Sequence, residues 1–265
     1  MILGIAVSKG DVTIGYSRDG EVSISASARD AAGKSWPIEF FESRFNIEQE
    51  ENHITIRNSP NANYPDPTAV SISYKVGVPF RTEVSSTISG TGRQIIVGIT
   101  GPARVVTSIG DIEASHVRFG LLRARTGKGN ISCTRVAQVE AETGSGNITL
   151  LEDGPSTATV EKGLGRLEVS GARGRFEGST DKGEIHIKAV LYDDWQLKSR
   201  SGNIRIELPP GVKFEADVAT NSGELSVERA DMEKPNAAAR QCHQNVNGGG
   251  KRIQARSDAG NISIE

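Results

Sequence analysis

The sequence predicts an all-β fold, a β-solenoid (β-helix-like) of about 19-residue coils with a flanking N-terminal β region. Three observations carry this. A Gly-x-Ile/Leu step recurs eight times, at Gly110, Gly129, Gly146, Gly165, Gly183, Gly202, Gly223 and Gly260, with spacings of 19, 17, 19, 18, 19, 21 and finally 37 residues. Apolar and polar residues alternate strictly on both sides of each of these glycines. The composition, with 30 glycines and few aromatics in 265 residues, suits short strands and tight corners better than packed helices.

Aligned on the glycine, the copies resolve into columns. Two residues after it stand Ile112, Ile131, Ile148, Leu167, Ile185, Ile204, Leu225 and Ile262, and four after it Ala114, Cys133, Leu150, Val169, Ile187, Ile206, Val227 and Ile264. Five and seven residues before it the positions are apolar or glycine, and the residues between are mostly polar. Side chains on a strand point alternately to opposite faces, so each copy is two short strands joined by a glycine-led corner, one face inward and one in water.

One such coil cannot stand alone. Ordering each residue costs roughly 1–2 kcal/mol, whereas each buried aliphatic side chain contributes only about 1.5–3 kcal/mol. The coils must therefore stack, pairing their backbone groups along the axis. Three residues before the glycine lies a hydroxyl column, Thr107, Thr126, Thr143, Thr180, Ser199, Thr220 and Ser257, with Lys162 in one copy; its expected role is to satisfy corner backbone groups. The asparagines after the glycine, Asn130, Asn147, Asn203 and Asn261, are expected to adopt left-handed turn geometry and bond their own backbone. The sequons at Asn130, Asn147 and Asn261 follow from the repeat itself.

Two units are expected. Residues 1–81 form an N-terminal strand pair, with Leu3, Ile5, Gly10, Asp11, Val12 and Ile14 on the coil template, plus a flanking or capping β region of longer strands. Residues 82–265 form the solenoid, broken by an irregular insertion at about 229–251 that reads as an exposed, mobile excursion.

Lysine plus arginine (31) nearly balance aspartate plus glutamate (33), which argues against nucleic acid or an anionic membrane as partner. Cys133 and Cys242 are too few for a disulfide framework and lack zinc-site spacing; Cys133, in an aliphatic column, is expected to be a buried thiol far from Cys242. His53, His116, His186 and His243 are scattered, so neither a metal nor another cofactor is expected. Calcium-binding rolls repeat every nine residues with aspartate, unlike this period and its neutral asparagines. Ile2 to Val7 is too short for a membrane span or a signal-peptide core, so either the protein resides in the cytoplasm or a leader has been removed.

These features resemble the bacterial putative-adhesin family of β-solenoid proteins of unknown function, which are autotransporter-adhesin-head-like. The resemblance rests on Lys9-Gly10-Asp11-Val12, on Val78-Pro79, on Ser201-Gly202-Asn203-Ile204 running into Pro209-Pro210-Gly211, and on Gly248-Gly249-Gly250 followed by Ser257-Asp258-Ala259-Gly260-Asn261-Ile262. It covers nearly the whole chain. Gly165-Arg166-Leu167 and Lys162 depart from the pattern. The resemblance implies a bacterial, envelope-associated protein and supplies no catalytic residues.

The expected function is a non-enzymatic envelope or surface scaffold, an adhesin presenting an elongated solenoid face to a protein or polysaccharide, with homo-oligomerisation through solenoid ends or edges left open. The alternative is a polysaccharide lyase or hydrolase on a β-helix scaffold. No catalytic, cofactor or metal residues are assigned. Tyr192, Asp193, Asp194 and Trp195 are the local candidates for sugar recognition, although Trp195 falls in an inward column and is expected in the core. Glu142 and Glu161, both four residues before a glycine, are expected to be outward neighbours on adjacent coils, at a separation near that of a glycosidase carboxylate pair but solvated.

Overall fold

A computed structural model describes residues 1–30, 32–35, 45–58, 70–151, 156–160, 165–172, 174–236 and 238–265. The described chain is all-β, and its strands form two sheets, one of thirteen strands and one of twelve. Each coil contributes one strand to each sheet. In the middle of the stack, for instance, Ala103–Ile109 (β9), Leu121–Lys128 (β11) and Gln138–Ser145 (β13) lie side by side in the larger sheet. Ile112–Ser115 (β10), Ile131–Thr134 (β12) and Ile148–Leu151 (β14) lie side by side in the smaller. Pairing is parallel and in register, Ile112 opposite Ile131 and Ile131 opposite Ile148.

The inward columns form one continuous core. Ile112, Ile131, Ile148, Leu167, Ile185, Ile204 and Ile262 are all essentially inaccessible to solvent. Leu225, in Leu225–Val227 (β22), is only partly buried because its strand is the last of the smaller sheet. The bulky Phe176 is accommodated by Gly178, where a Cβ would stand 2.8 Å from the Phe176 ring and 2.8 Å from Leu167.

The glycines are required by close approach. A Cβ on Gly129 would sit 2.1 Å from the carbonyl oxygen of Gly110, and one on Gly202 would sit 1.8 Å from that of Gly183; no side chain fits between stacked corners. The hydroxyl column seals the same corner. Thr126 Oγ1 donates to Gly110 O at 2.9 Å and Thr143 Oγ1 to Gly129 O at 2.9 Å. Ser257 Oγ accepts from Gly260 N at 2.8 Å.

The asparagines act differently from the sequence expectation. The left-handed backbone belongs to Gly129 and Gly146, with φ of 155° and 141°, so asparagine is not needed for the turn. Its side chain bonds the next coil instead: Asn130 N donates to Asp111 Oδ1, Asn147 N to Asn130 Oδ1 and Arg166 N to Asn147 Oδ1, at 2.7, 2.9 and 2.8 Å. Arg166 has no oxygen to offer, and the ladder halts there. It resumes with Asn261 N on Asn203 Oδ1 and Glu224 N on Asn261 Oδ1, both 2.9 Å.

A coil that the glycine spacing passed over precedes Gly110. Glu83–Thr91 (β7) and Gln94–Val97 (β8) flank Gly92, but the aliphatic place is taken by Gln94, paired with Ile112 and fully buried. Its Nε2 donates to Val106 O at 2.7 Å, beside the register shift between Ile88 and Thr91 in β7.

Both ends depart from simple chain order. Ile2–Val7 (β1) and Asp11–Tyr16 (β2) are each the third strand from one end of their sheet. They are flanked inward by β7 and β8, and outward by His53–Asn58 (β5) and Val70–Val78 (β6). Antiparallel Phe45–Glu50 (β4) and Ser23–Asp30 (β3) cover that outermost coil. At the other end, Lys251–Ser257 (β24) and Ile262–Ile264 (β25) are inserted between two earlier coils. On one side lie Trp195–Ser199 (β19) and Ile204–Glu207 (β20), on the other Phe214–Thr220 (β21) and β22.

The excursion before β24 is therefore not a free loop. Gln241–Val246 (β23) pairs antiparallel with β21 and closes the larger sheet, burying Cys242 and Val246. Arg229 is buried under it, donating to Leu208 O at 3.0 Å and to Asp231 at 2.8 Å, with its guanidinium 5.6 Å from the Phe214 ring centre.

Gly129→Ala is expected to cost about 3 kcal/mol or more, because the corners must separate, and Ile204→Asp several kcal/mol as an unpaired buried charge. Asn203→Ala, which loses one exposed hydrogen bond, should cost about 1 kcal/mol or less; urea unfolding of the three variants checks the order. Cys133 is buried in the core of the central coils and Cys242 lies under the far end. Both should react slowly with a thiol reagent until the protein unfolds.

Candidate functional site

The outward face of the thirteen-stranded sheet is built by the positions that alternate with the core columns, so each charged side chain has a fixed neighbour on the next coil. Arg104 on β9 lies opposite Arg123 on β11, which lies opposite Glu140 on β13; two residues on, Val106, Arg125 and Glu142 repeat the arrangement. Arg123 Nε bonds Glu140 Oε2 at 2.7 Å, and Arg125 Nη2 meets Glu142 Oε1 at 2.8 Å. Arg104, Val106, Arg123, Arg125, Glu140 and Glu142 line an open trough of about 350 Å³.

The column count that put Glu142 beside Glu161 is out of register with the strand pairing. In register, Glu142 faces Thr159 of Ser156–Val160 (β15), and Val160 faces both Thr143 and Thr180. Five residues, rather than the usual three, separate this strand position from its glycine, Gly165, so counting back from the glycine slips by two. Glu161 and Lys162 lie outside the described residues. The same slip explains why Lys162 stood in the hydroxyl column.

The Tyr192–Trp195 run is divided among different tasks. Trp195 is buried beside Phe176 and Ile253. Asp193 Oδ1 accepts from Lys251 Nζ at 3.0 Å and Asp194 Oδ1 from Arg252 N at 2.9 Å, so both carboxylates fasten the inserted β24. The Lys251 hydrogen bond, the largest influence, holds the Asp193 carboxyl below the usual aspartate range. Tyr192 alone of the four is an exposed ring.

Two further surface groupings carry no repeat signature. Tyr16 and Phe80 are exposed and packed edge to face at 5.7 Å. Phe119, 87% exposed with φ of 58°, shares a second groove with Phe80. Tyr16 ends the second strand of its coil, and Phe80 and Phe119 follow theirs, a position whose aromatics would have shown in an alignment of the corner opposite the glycines.

On the outward face of the smaller sheet, Arg166 Nη2 contacts His186 Nδ1 at 2.9 Å and His186 Nε2 contacts Glu207 Oε1 at 2.8 Å. Arginine only donates, so Nδ1 accepts and the ring proton sits on Nε2, directed at Glu207. Lys188 and Arg205 also approach Glu207, at 3.3 and 3.1 Å. The His186 hydrogen bond, ahead of Lys188, holds the Glu207 carboxyl below the ordinary glutamate value. A depressed carboxylate adds stability above its unfolded pKa and loses it as pH falls through the folded one. Glu207→Gln should therefore lower stability at neutral pH by about 1 kcal/mol for a partly exposed pair, and the difference in Tm from wild type should close as the solution is acidified below the carboxylate range.

Among the described residues, no helix is long and apolar enough to cross a membrane. No curated protein matches the sequence. Among solved structures, a putative adhesin from Bacteroides fragilis is similar at 11% identity over 100% of this chain and 91% of that chain, with a TM-score of 0.48. A putative cell adhesion protein from Clostridium sporogenes is similar at 9% identity over 99% of this chain and 91% of that chain, with a TM-score of 0.22. Neither likeness is close enough to carry an argument. The pattern that defines the family called Toastrack DUF4097 does so at the level of sequence: it runs through residues 3–265, from the strand that opens the first coil to the strand that closes the inserted one, and this chain belongs to that family.

Proposed function

We propose that the protein is a non-enzymatic scaffold of the bacterial cell surface or envelope that presents one long solenoid face to a partner or glycan. The observation that carries this reading is the outward face of the thirteen-stranded sheet. At about 4.8 Å per strand it extends roughly 58 Å, and its side chains are held in register from coil to coil. A surface of that kind is ordered before anything binds, so little freedom is lost on association.

The chemistry of the face supports contact rather than bond cleavage. Glu140 and Glu142, the carboxylates of the central trough, are each engaged by an arginine, so both stand as acceptors of guanidinium hydrogens rather than as proton donors. A glycosidase needs one carboxyl kept protonated as an acid.

The test is co-sedimentation of the purified protein with bacterial cell-wall sacculi and with capsular polysaccharide, alongside an assay for new reducing ends or unsaturated products. Association without cleavage is the expected result. Cleavage that is lost in Glu142→Gln, or failure to associate with any envelope fraction, overturns the scaffold reading.

A further inference from the structure

We propose that the trough lined by Arg104, Arg123 and Arg125 binds an oxyanion, the carboxylate or sulfate of an acidic saccharide; the saccharide part rests on the scaffold reading above, the oxyanion part on the trough itself. Arg104 and Arg123 stand directly opposite each other on adjacent parallel strands. Like charges in that relation repel, and elsewhere on the same face arginines meet acids: Arg125 meets Glu142, Arg175 meets Glu177 and Arg256 meets Asp217. Among the described residues Arg104 makes neither a hydrogen bond nor an ion pair. Arg123 uses only Nε for Glu140, so its terminal nitrogens have no acceptor among the described residues. Two guanidinium groups one strand apart, with their terminal donors uncommitted, fit an oxyanion bridging them.

The shape of the trough selects what carries the anion. Val106, half-buried, takes on β9 the place that Arg125 takes on β11, and the step from a long side chain to a short one makes the hollow. Its volume of about 350 Å³ is at the small end of ligand sites. A pyranose ring can lay its C–H face on Val106 and the aliphatic stems of the arginines while its carboxylate reaches Arg104 and Arg123. Glu140 and Glu142 on the far rim accept hydrogen bonds from sugar hydroxyls and repel a second anionic group. An extended peptide lacks its usual means of attachment, because β9 and β11 are interior strands whose backbone groups are spent on each other and on β7 and β13.

Calorimetric titration of the full chain at low ionic strength with trigalacturonate, maltotriose sulfate, neutral maltotriose and triglutamate tests this. Saturable binding of one or both acidic saccharides, and none of maltotriose, is expected. That affinity should fall at least tenfold in Arg104→Ala and in Arg123→Ala, rise in Glu140→Gln, and be unchanged in Arg200→Ala, an exposed arginine paired with Asp181 at a corner. All four side chains are exposed, so circular dichroism and Tm should stay near wild type, which separates lost binding from lost folding. The proposal is overturned if no acidic saccharide binds, if the arginine variants bind as wild type does, or if triglutamate binds equally well. The two readings fail separately: envelope co-sedimentation that survives in the Arg104→Ala/Arg123→Ala variant, with oligosaccharide affinity also intact, sinks the trough alone. Oligosaccharide binding without envelope association sinks the scaffold reading alone.

Discussion

The structure depends on how closely successive corners approach. At the glycine of each coil the backbone passes so near the carbonyl of the corner below that one carbon atom would prevent contact, as the 2.1 Å approach at Gly129 shows. That contact brings the corners to strand-pairing distance, which lets the flanking strands pair in parallel over their length. The Thr and Ser hydroxyls and the Asp/Asn oxygens then satisfy polar groups that a tight corner leaves without a ladder partner. The aliphatic columns follow, because a fixed corner fixes which residues of each strand face inward. Hydrophobic burial supplies most of the driving force, but the corner decides where it acts.

This hierarchy explains what the sequence disclosed. The inward columns were legible because a period of two, anchored on an invariable corner, leaves no freedom of face. Where the anchor moved, the columns shifted: the longer segment before Gly165 slipped the count by two, and Thr159 is the residue in register with Glu142. Gly92 escaped notice because the aliphatic place two residues on is held by the polar Gln94, whose Nε2 donates to Val106 O. Stacking order was illegible for a different reason. Ile253 and Ala216 suit the same column, so composition alone cannot say whether β24 or β21 lies next to β19.

The candidate site was the least legible part. Outward positions are free of the packing constraints that make the core periodic, so the Arg104–Arg123 juxtaposition emerges only once the pairing of β9 with β11 is known. The reverse holds for Trp195, whose inward column marked it as a core residue, and for its acidic neighbours, which serve the fold by holding β24. Of the runs that stood out in the linear sequence, the Tyr192–Trp195 run proved mainly structural. The surface with a chemical character of its own is dispersed over three strands and nearly forty residues.

The placement of β24 and β25 bears on how the molecule comes to be assembled. Residues 214–227 precede residues 251–264 in synthesis, yet the later segment separates the earlier one from β19 and β20. With β19 and β21 placed as in the finished sheet, a chain lacking that segment would present two parallel edges across a gap one strand wide, each with unpaired amides and carbonyls. Such edges are templates for pairing, and a matching segment from any copy of the chain can occupy them. Closure within one molecule is favoured by the short tether through β23, which keeps the local concentration of the correct segment high. The last coil is thus placed as a keystone: both neighbours precede it in synthesis, and its Ile253, Ala255, Ile262 and Ile264 complete the core between them.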